Sequence, residues 1–132
     1  MSAMNNPYEQ EARERWGDTE AWKESRRRTR GYTPDEVQTI KEELEAIEAS
    51  FATLLDDGAA PESEASRAVA ERARAHIDRW YYPCPPAMHE ALAEMYTSDP
   101  RFRAHYDDRR KGLADYVAAA IRANAGGDAP EA

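Results

Sequence analysis

The chain has 132 residues, the length of one domain, with 18 Lys and Arg against 26 Asp and Glu and a net charge of −8. Leu, Ile, Val and Phe number only 14, or 11%, while alanine numbers 25, a composition on the disordered side of the usual boundary. It has no apolar run of membrane-spanning length and no secretory signal over Met1–Gln10; one cysteine excludes an internal disulfide, and the acidity argues against nucleic acid as the main partner.

Both deficits are local. Residues 1–36 contain no Leu, Ile, Val or Phe; their bulky members are Tyr8, Trp16, Trp22 and Tyr32, with Met1 and Met4. Tyr8, Ala12 and Trp16 fit a weak helix, and Asp18 can cap a second. Large aromatics without aliphatic neighbours cannot assemble a core of their own. Such a segment packs on the rest of the chain or stays loose until a ligand supplies the missing surface. We read residues 1–32 as a mobile helical lid. Its cluster of Arg26, Arg27, Arg28 and Arg30 fits a solvated helix face, a clamp on the acidic segment that follows, or an anion site.

From Thr33 to Glu64 the chain carries ten acids and one base, Lys41. Thr33-Pro34-Asp35-Glu36 is a capping box with proline in the first helical position. Val37, Ile40, Leu44, Ile47, Phe51 and Leu54 follow as one apolar stripe, which predicts a helix to about Asp56, closed by Gly58. A second helix is predicted from about Glu62 to Tyr81, burying Ala65, Val69, Ala73, His76 or Ile77, and Trp80. Pro83-Cys84-Pro85-Pro86 then breaks the chain. Met88, Leu92, Met95 and Tyr96 share a face of the next helix. Asp99-Pro100 starts a short one bearing Phe102 and Tyr106, and Leu113, Tyr116, Val117, Ala120 and Ile121 form the last stripe. No strand is predicted. The fold class is all-α.

Cys84 is the chemically distinctive residue. It stands just before a helix N-terminus, where free amides and the helix dipole favour a thiolate, and aromatics crowd it. The alternative is a small cysteine filling a buried corner. His76, His89 and His105 have no recognisable metal spacing with Cys84, and no orienting group or oxyanion site marks a nucleophilic pair. No metal or cofactor is expected.

Several segments together carry a resemblance. They are Glu14-Arg15-Trp16-Gly17-Asp18-Thr19-Glu20-Ala21-Trp22, Tyr32-Thr33, and His76 with Trp80-Tyr81-Tyr82-Pro83-Cys84. Met88-His89, Leu92, Glu94-Met95-Tyr96, Asp99-Pro100-Arg101-Phe102, Gly112-Leu113-Ala114 and Ala123-Asn124-Ala125 follow in order. From Tyr8 to Ala125 the chain resembles the TipAS antibiotic-recognition domain, the effector half of MerR-type transcription activators.

That resemblance implies a compact globin-like bundle of about five helices over 33–125, with a lid before it and a disordered tail over 126–132. It implies capture of a macrocyclic thiopeptide antibiotic of the thiostrepton type, with Cys84 adding to a dehydroalanine of the drug. Trp16, Trp22 and Tyr32 are expected as lid contacts. His76, Trp80, Tyr81, Met88, Met95 and Phe102 are expected to line an aromatic cleft. Some relatives bind other drugs, such as albicidin, without the thiol. The expected protein is a cytoplasmic monomer that sequesters drug, is not an enzyme and does not contact DNA directly, since no winged helix precedes the domain here. Pro85-Pro86 makes a stiffer elbow than the family pattern and leaves covalent capture open. The alternatives are a sensor module acting with a DNA-binding partner, and an enzyme, which turnover distinguishes from a stoichiometric binder.

Overall fold

The computed structural model describes residues 19–126, which form six helices and no strand among the described residues. These are α1 (Glu20–Arg30), α2 (Pro34–Asp56), α3 (Glu64–Trp80), α4 (Pro86–Ser98), α5 (Pro100–Asp107) and α6 (Leu113–Gly126). The expected helix at Tyr8, Ala12 and Trp16 lies outside the described residues, as does the expected tail beyond Gly126. Asp18 lies outside them too, and the cap of α1 is Thr19, whose Oγ1 accepts from the Trp22 amide at 3.1 Å.

The remaining helix starts follow the local chemistry. In the capping box of α2 the Glu36 amide donates to Thr33 Oγ1 at 3.1 Å, and the Thr33 amide donates to Glu36 Oε1 at 2.9 Å. Just past α2, Gly58 takes φ 78°, a left-handed conformation that costs glycine nothing. Asp99 ends α4 and caps α5, accepting from the Arg101 amide at 2.9 Å.

Helix α6 is the centre of the bundle, packed against α2, α3, α4 and α5. All five members of its predicted stripe are buried. Alanine, which composition marks as a poor core former, supplies much of that core: Ala70, Ala93, Ala114, Ala118 and Ala120 have no exposed surface. Small side chains let helices approach closely, so burial here comes from packing distance as well as from side-chain bulk. A domain with few large aliphatics closes in this way.

Two predicted faces shift. On α3 the buried residue is Ser66, and Ala65 is exposed. A hydroxyl relay sets this register. Ser63 donates to Ser66 at 3.0 Å, and Tyr116 donates to the Ala59 carbonyl at 2.8 Å. With the Tyr116 proton committed there, Ser66 donates to Tyr116 Oη across 2.6 Å. On α2, Ile40, Ile47 and Phe51 are buried, whereas Val37 and Leu44 are 37% and 40% exposed. Helix α1 packs on α3, which leaves this part of the α2 stripe uncovered.

Candidate functional site

A cleft of about 860 Å³ opens between α2, α3, α4 and α5, with Val117 and Ile121 of α6 at its floor. Leu44, Ile47, Glu48 and Phe51 form one wall, and Ala73, His76 and Ile77 another. Tyr81 and Tyr82 come from the turn after α3, and His89, Leu92, Met95 and Tyr96 from α4. Phe102, His105 and Tyr106 of α5 complete it. The Tyr96 ring meets Phe102 at 5.9 Å and Tyr106 at 5.4 Å, both tilted. Burial drives the phenols of Tyr96 and Tyr106 well above the ordinary tyrosine range, and that of Tyr82 to about 12, so all three are neutral donors. A mostly apolar, aromatic cavity with a few polar groups is the usual form of an organic-ligand site.

Polar groups at its edge are tied to the fold. His76 Nε2 lies 3.1 Å from the Ile40 carbonyl, which can only accept, so this nitrogen carries the proton. His105 Nε2 pairs with the buried Glu48 carboxylate at 2.9 Å, and Arg109 reaches the other Glu48 oxygen at 3.5 Å and Glu45 at 2.5 Å.

Of the residues expected in the cleft, His76, Tyr81, Met95 and Phe102 line it. Trp80 and Met88 do not, nor do the expected lid residues Trp22 and Tyr32; Trp16 lies outside the described residues. Trp80 instead joins three helices. Its Nε1 donates to Glu43 on α2 at 2.8 Å, and Tyr32, just past α1, donates from Oη to the Trp80 carbonyl at 2.5 Å with the rings edge-on. Arg28 adds Nη1 bonds to the carbonyls of Asp78 and Arg79 at 2.7 and 3.2 Å, capping the end of α3. The arginine cluster thus contributes a clamp, directed at α3 and not at the acidic α2. Arg26 lies 5.8 Å from the Trp22 ring, and Arg27 pairs with Glu24. Replacing Arg28 by alanine is expected to remove about 1.5 kcal/mol of α1 docking. Hydrogen exchange is expected to show amides 20–30 losing protection while α6 keeps its own.

Cys84 is fully buried and is not part of the cleft lining. Two α3 side chains hold its backbone: its amide donates to Asp78 Oδ1 at 2.8 Å, and Arg74 Nη1 donates to its carbonyl at 2.8 Å. The expected lowering of the thiol pKa does not occur. Burial pushes it up to about 11; Arg74 opposes that shift, and Asp78 and Glu71 reinforce it.

The cleft residues that sequence reasoning passed over include Leu44, Glu48, Tyr82 and His89. Tyr82 sits within the aromatic run before Cys84, and Leu44 and Glu48 are one turn apart on α2, so the signals were local but not selective. Among the described residues, no three His, Cys, Asp or Glu side chains group as a metal site, and no helix is long and apolar enough to cross a membrane.

Residues 8–124 match the TipAS antibiotic-recognition domain. The chain belongs to that family. It is 42% identical over 118 residues to the HTH-type transcriptional activator TipA of Streptomyces coelicolor, covering 89% of this chain and 47% of the activator. The activator mta of Bacillus subtilis is 30% identical over 114 residues, covering 86% of this chain and 43% of mta. The chain therefore spans less than half the length of these relatives. Among solved structures, TipAS of Streptomyces lividans in complex with nosiheptide superposes with a TM-score of 0.85 at 41% identity, covering 93% of this chain and 86% of that one. The antibiotic-binding domain of a TipA-class multidrug resistance regulator gives 0.65 at 40% identity, covering 70% and 99%. The five helices α2 to α6 are the globin-like bundle that the resemblance implies, and α1 precedes it within residues 1–32.

Proposed function

We propose that this TipAS domain binds a thiopeptide antibiotic in the cleft between α2 and α5, holding it by aromatic and aliphatic contact and conferring resistance or drug sensing by stoichiometric capture. The observation that carries this reading is the aromatic cleft of about 860 Å³, in a chain that superposes on a nosiheptide-bound TipAS at 0.85. Flat heterocyclic ligands suit rigid aromatic and pliant methionine walls, which give contact area at low entropic cost. Leu44 adds an exposed apolar wall whose burial a ligand can complete. His76, Tyr81, Met95 and Phe102 are the contacts drawn from this cleft; Trp16, Trp22 and Tyr32 act, in this reading, from the lid side.

Cys84 is the covalent anchor. Its thiol adds across the drug's dehydroalanine: a sulfur–carbon bond forms at the terminal alkene carbon, the π bond breaks, and the thiol proton ends on the adjacent carbon. No oxidant or leaving group is needed. The domain works in the cytoplasm as a binder without turnover.

The relatives' length supports a second reading, in which the same capture event signals through a DNA-binding partner or region. Both readings share one test. Nosiheptide is titrated while tryptophan fluorescence is followed, and the intact mass is then recorded for the wild type and Cys84→Ser. Saturation at one drug per chain is expected. Absence of any fluorescence or mass change with nosiheptide rejects thiopeptide capture. Leu44→Ala is expected to weaken binding about threefold to tenfold while shifting Tm by less than about 2 °C, because an exposed side chain adds little to the fold.

A further inference from the structure

Four polar side chains are buried in the described structure: Glu48, Ser66, His76 and His89. Glu48 is held by His105 and Arg109, Ser66 by Ser63 and Tyr116, and His76 by the Ile40 carbonyl. His89 differs. It is 2% exposed and lines the cleft, yet among the described residues its imidazole makes no hydrogen bond. No fully occluded side-chain polar atom lacks a partner among the described residues, so the ring nitrogens of this cleft-lining residue are not fully occluded. Ring nitrogens left to solvent add nothing to the fold that a leucine of similar volume would not give. The position therefore carries something other than packing.

Resting on the thiopeptide reading above, we propose that His89 is the polar anchor of the cleft, pairing its imidazole with an amide or azole group of the bound macrocycle. Its place on α4 suits this. Leu92 and Tyr96, three and seven residues on, carry the same helix face along the cleft, so the ring stands at one end of an apolar track. A neutral imidazole offers one N–H donor and one nitrogen acceptor, which is the pairing complement of a peptide amide. The ring is neutral at physiological pH: burial, aided by Arg74 and opposed by Glu71, pushes its pKa down to about 4. A ligand can thus displace water from it without stranding a charge. With Pro85 as N-cap of α4, Cys84 and His89 hold the N′ and N4 positions, the pair that packs together in a hydrophobic staple. An antibiotic anchored at His89 is consequently held beside the elbow that carries the thiol.

The test measures nosiheptide affinity and Tm for the wild type, His89→Leu and His89→Gln. His89→Leu is expected to bind about tenfold more weakly while Tm stays level or rises, and His89→Gln, which keeps a donor and an acceptor, to bind within about threefold of wild type. A purely structural histidine gives the opposite pattern, with a lower Tm and unchanged affinity in the folded fraction. His89→Leu binding as tightly as the wild type overturns the anchor and leaves thiopeptide capture standing. A wild type that does not bind nosiheptide overturns both.

Discussion

Replacing Phe51 with alanine is expected to destabilise the domain by about 3–5 kcal/mol, the usual cost of deleting a buried aromatic ring. Phe51 is 1% exposed and is the largest fully buried side chain of a core cluster that includes Ile47, Val69, Leu113, Val117, Ile121 and several alanines. A close-packed bundle relaxes only partly around a ring-sized void, so a cavity term adds to the lost burial. For a domain of this size the loss corresponds to a fall in Tm of at least about 10 °C, read from the helical signal on heating. Val37→Ala, on the same helix but 37% exposed, is expected to shift stability by no more than about 0.5 kcal/mol. Equal losses at the two positions would show that the α2 stripe is buried along its whole length, and the open wall of the cleft would have to be redrawn. Because Phe51 also lines the cleft, ligand affinity should be compared only on the folded fraction of that variant.

The contrast between these two residues marks how far the sequence reached. Spacing placed both on one stripe, correctly for a helix, because periodicity encodes which residues share a face. Which part of that face meets a neighbour depends on where α3 and α6 pack against α2, and no local pattern carries that. The caps and breaks were legible for the opposite reason. Thr33-Pro34-Asp35-Glu36 and Asp99-Pro100 act on amides within one turn, so their effect is complete before any packing occurs. The site shows the same division. His76, Tyr81, Met95 and Phe102, expected in the cleft, line it, whereas Trp80, expected there from its helix stripe and the segment running to Cys84, serves as a joint between α1, α2 and α3. His89 is marked in the sequence only by its spacing from Cys84 and its place in the Met88-His89 segment, whereas its distinction in the fold is an imidazole with no hydrogen bond among the described residues. The alanines were misjudged because composition counts bulk while a helix bundle also uses closeness, as Ala93 against α6 demonstrates.

Cys84 carries the second large expectation, because its environment is the reverse of an activated thiol. With a pKa raised from 9.0 to about 11, its thiolate fraction at pH 7.5 is about a hundredfold below that of an ordinary cysteine. Complete burial slows attack further, so alkylation of the free protein by iodoacetamide is expected to be at least about a hundredfold slower than that of free cysteine. The sign of the pH dependence follows from the direction of the shift. A raised pKa means that the reactive form keeps growing, about tenfold per pH unit, through pH 9 and 10, where a normal thiol has begun to level off. Under the proposed addition to dehydroalanine, covalent capture is then the slow step of two. Nosiheptide is expected to produce a rapid change in tryptophan fluorescence from occupation of the cleft, followed by a much slower gain of one drug mass that accelerates with pH. Cys84→Ser should keep the first phase and lose the second. Arg74 is the group that lowers the thiol pKa and also donates to the Cys84 carbonyl, so Arg74→Met should slow the second phase again without abolishing the first. A Cys84 that alkylates at the rate of free cysteine at pH 7.5 would mean that the elbow between α3 and α4 opens readily. Capture would then be limited by the drug's arrival, because an accessible thiol needs no ligand to uncover it.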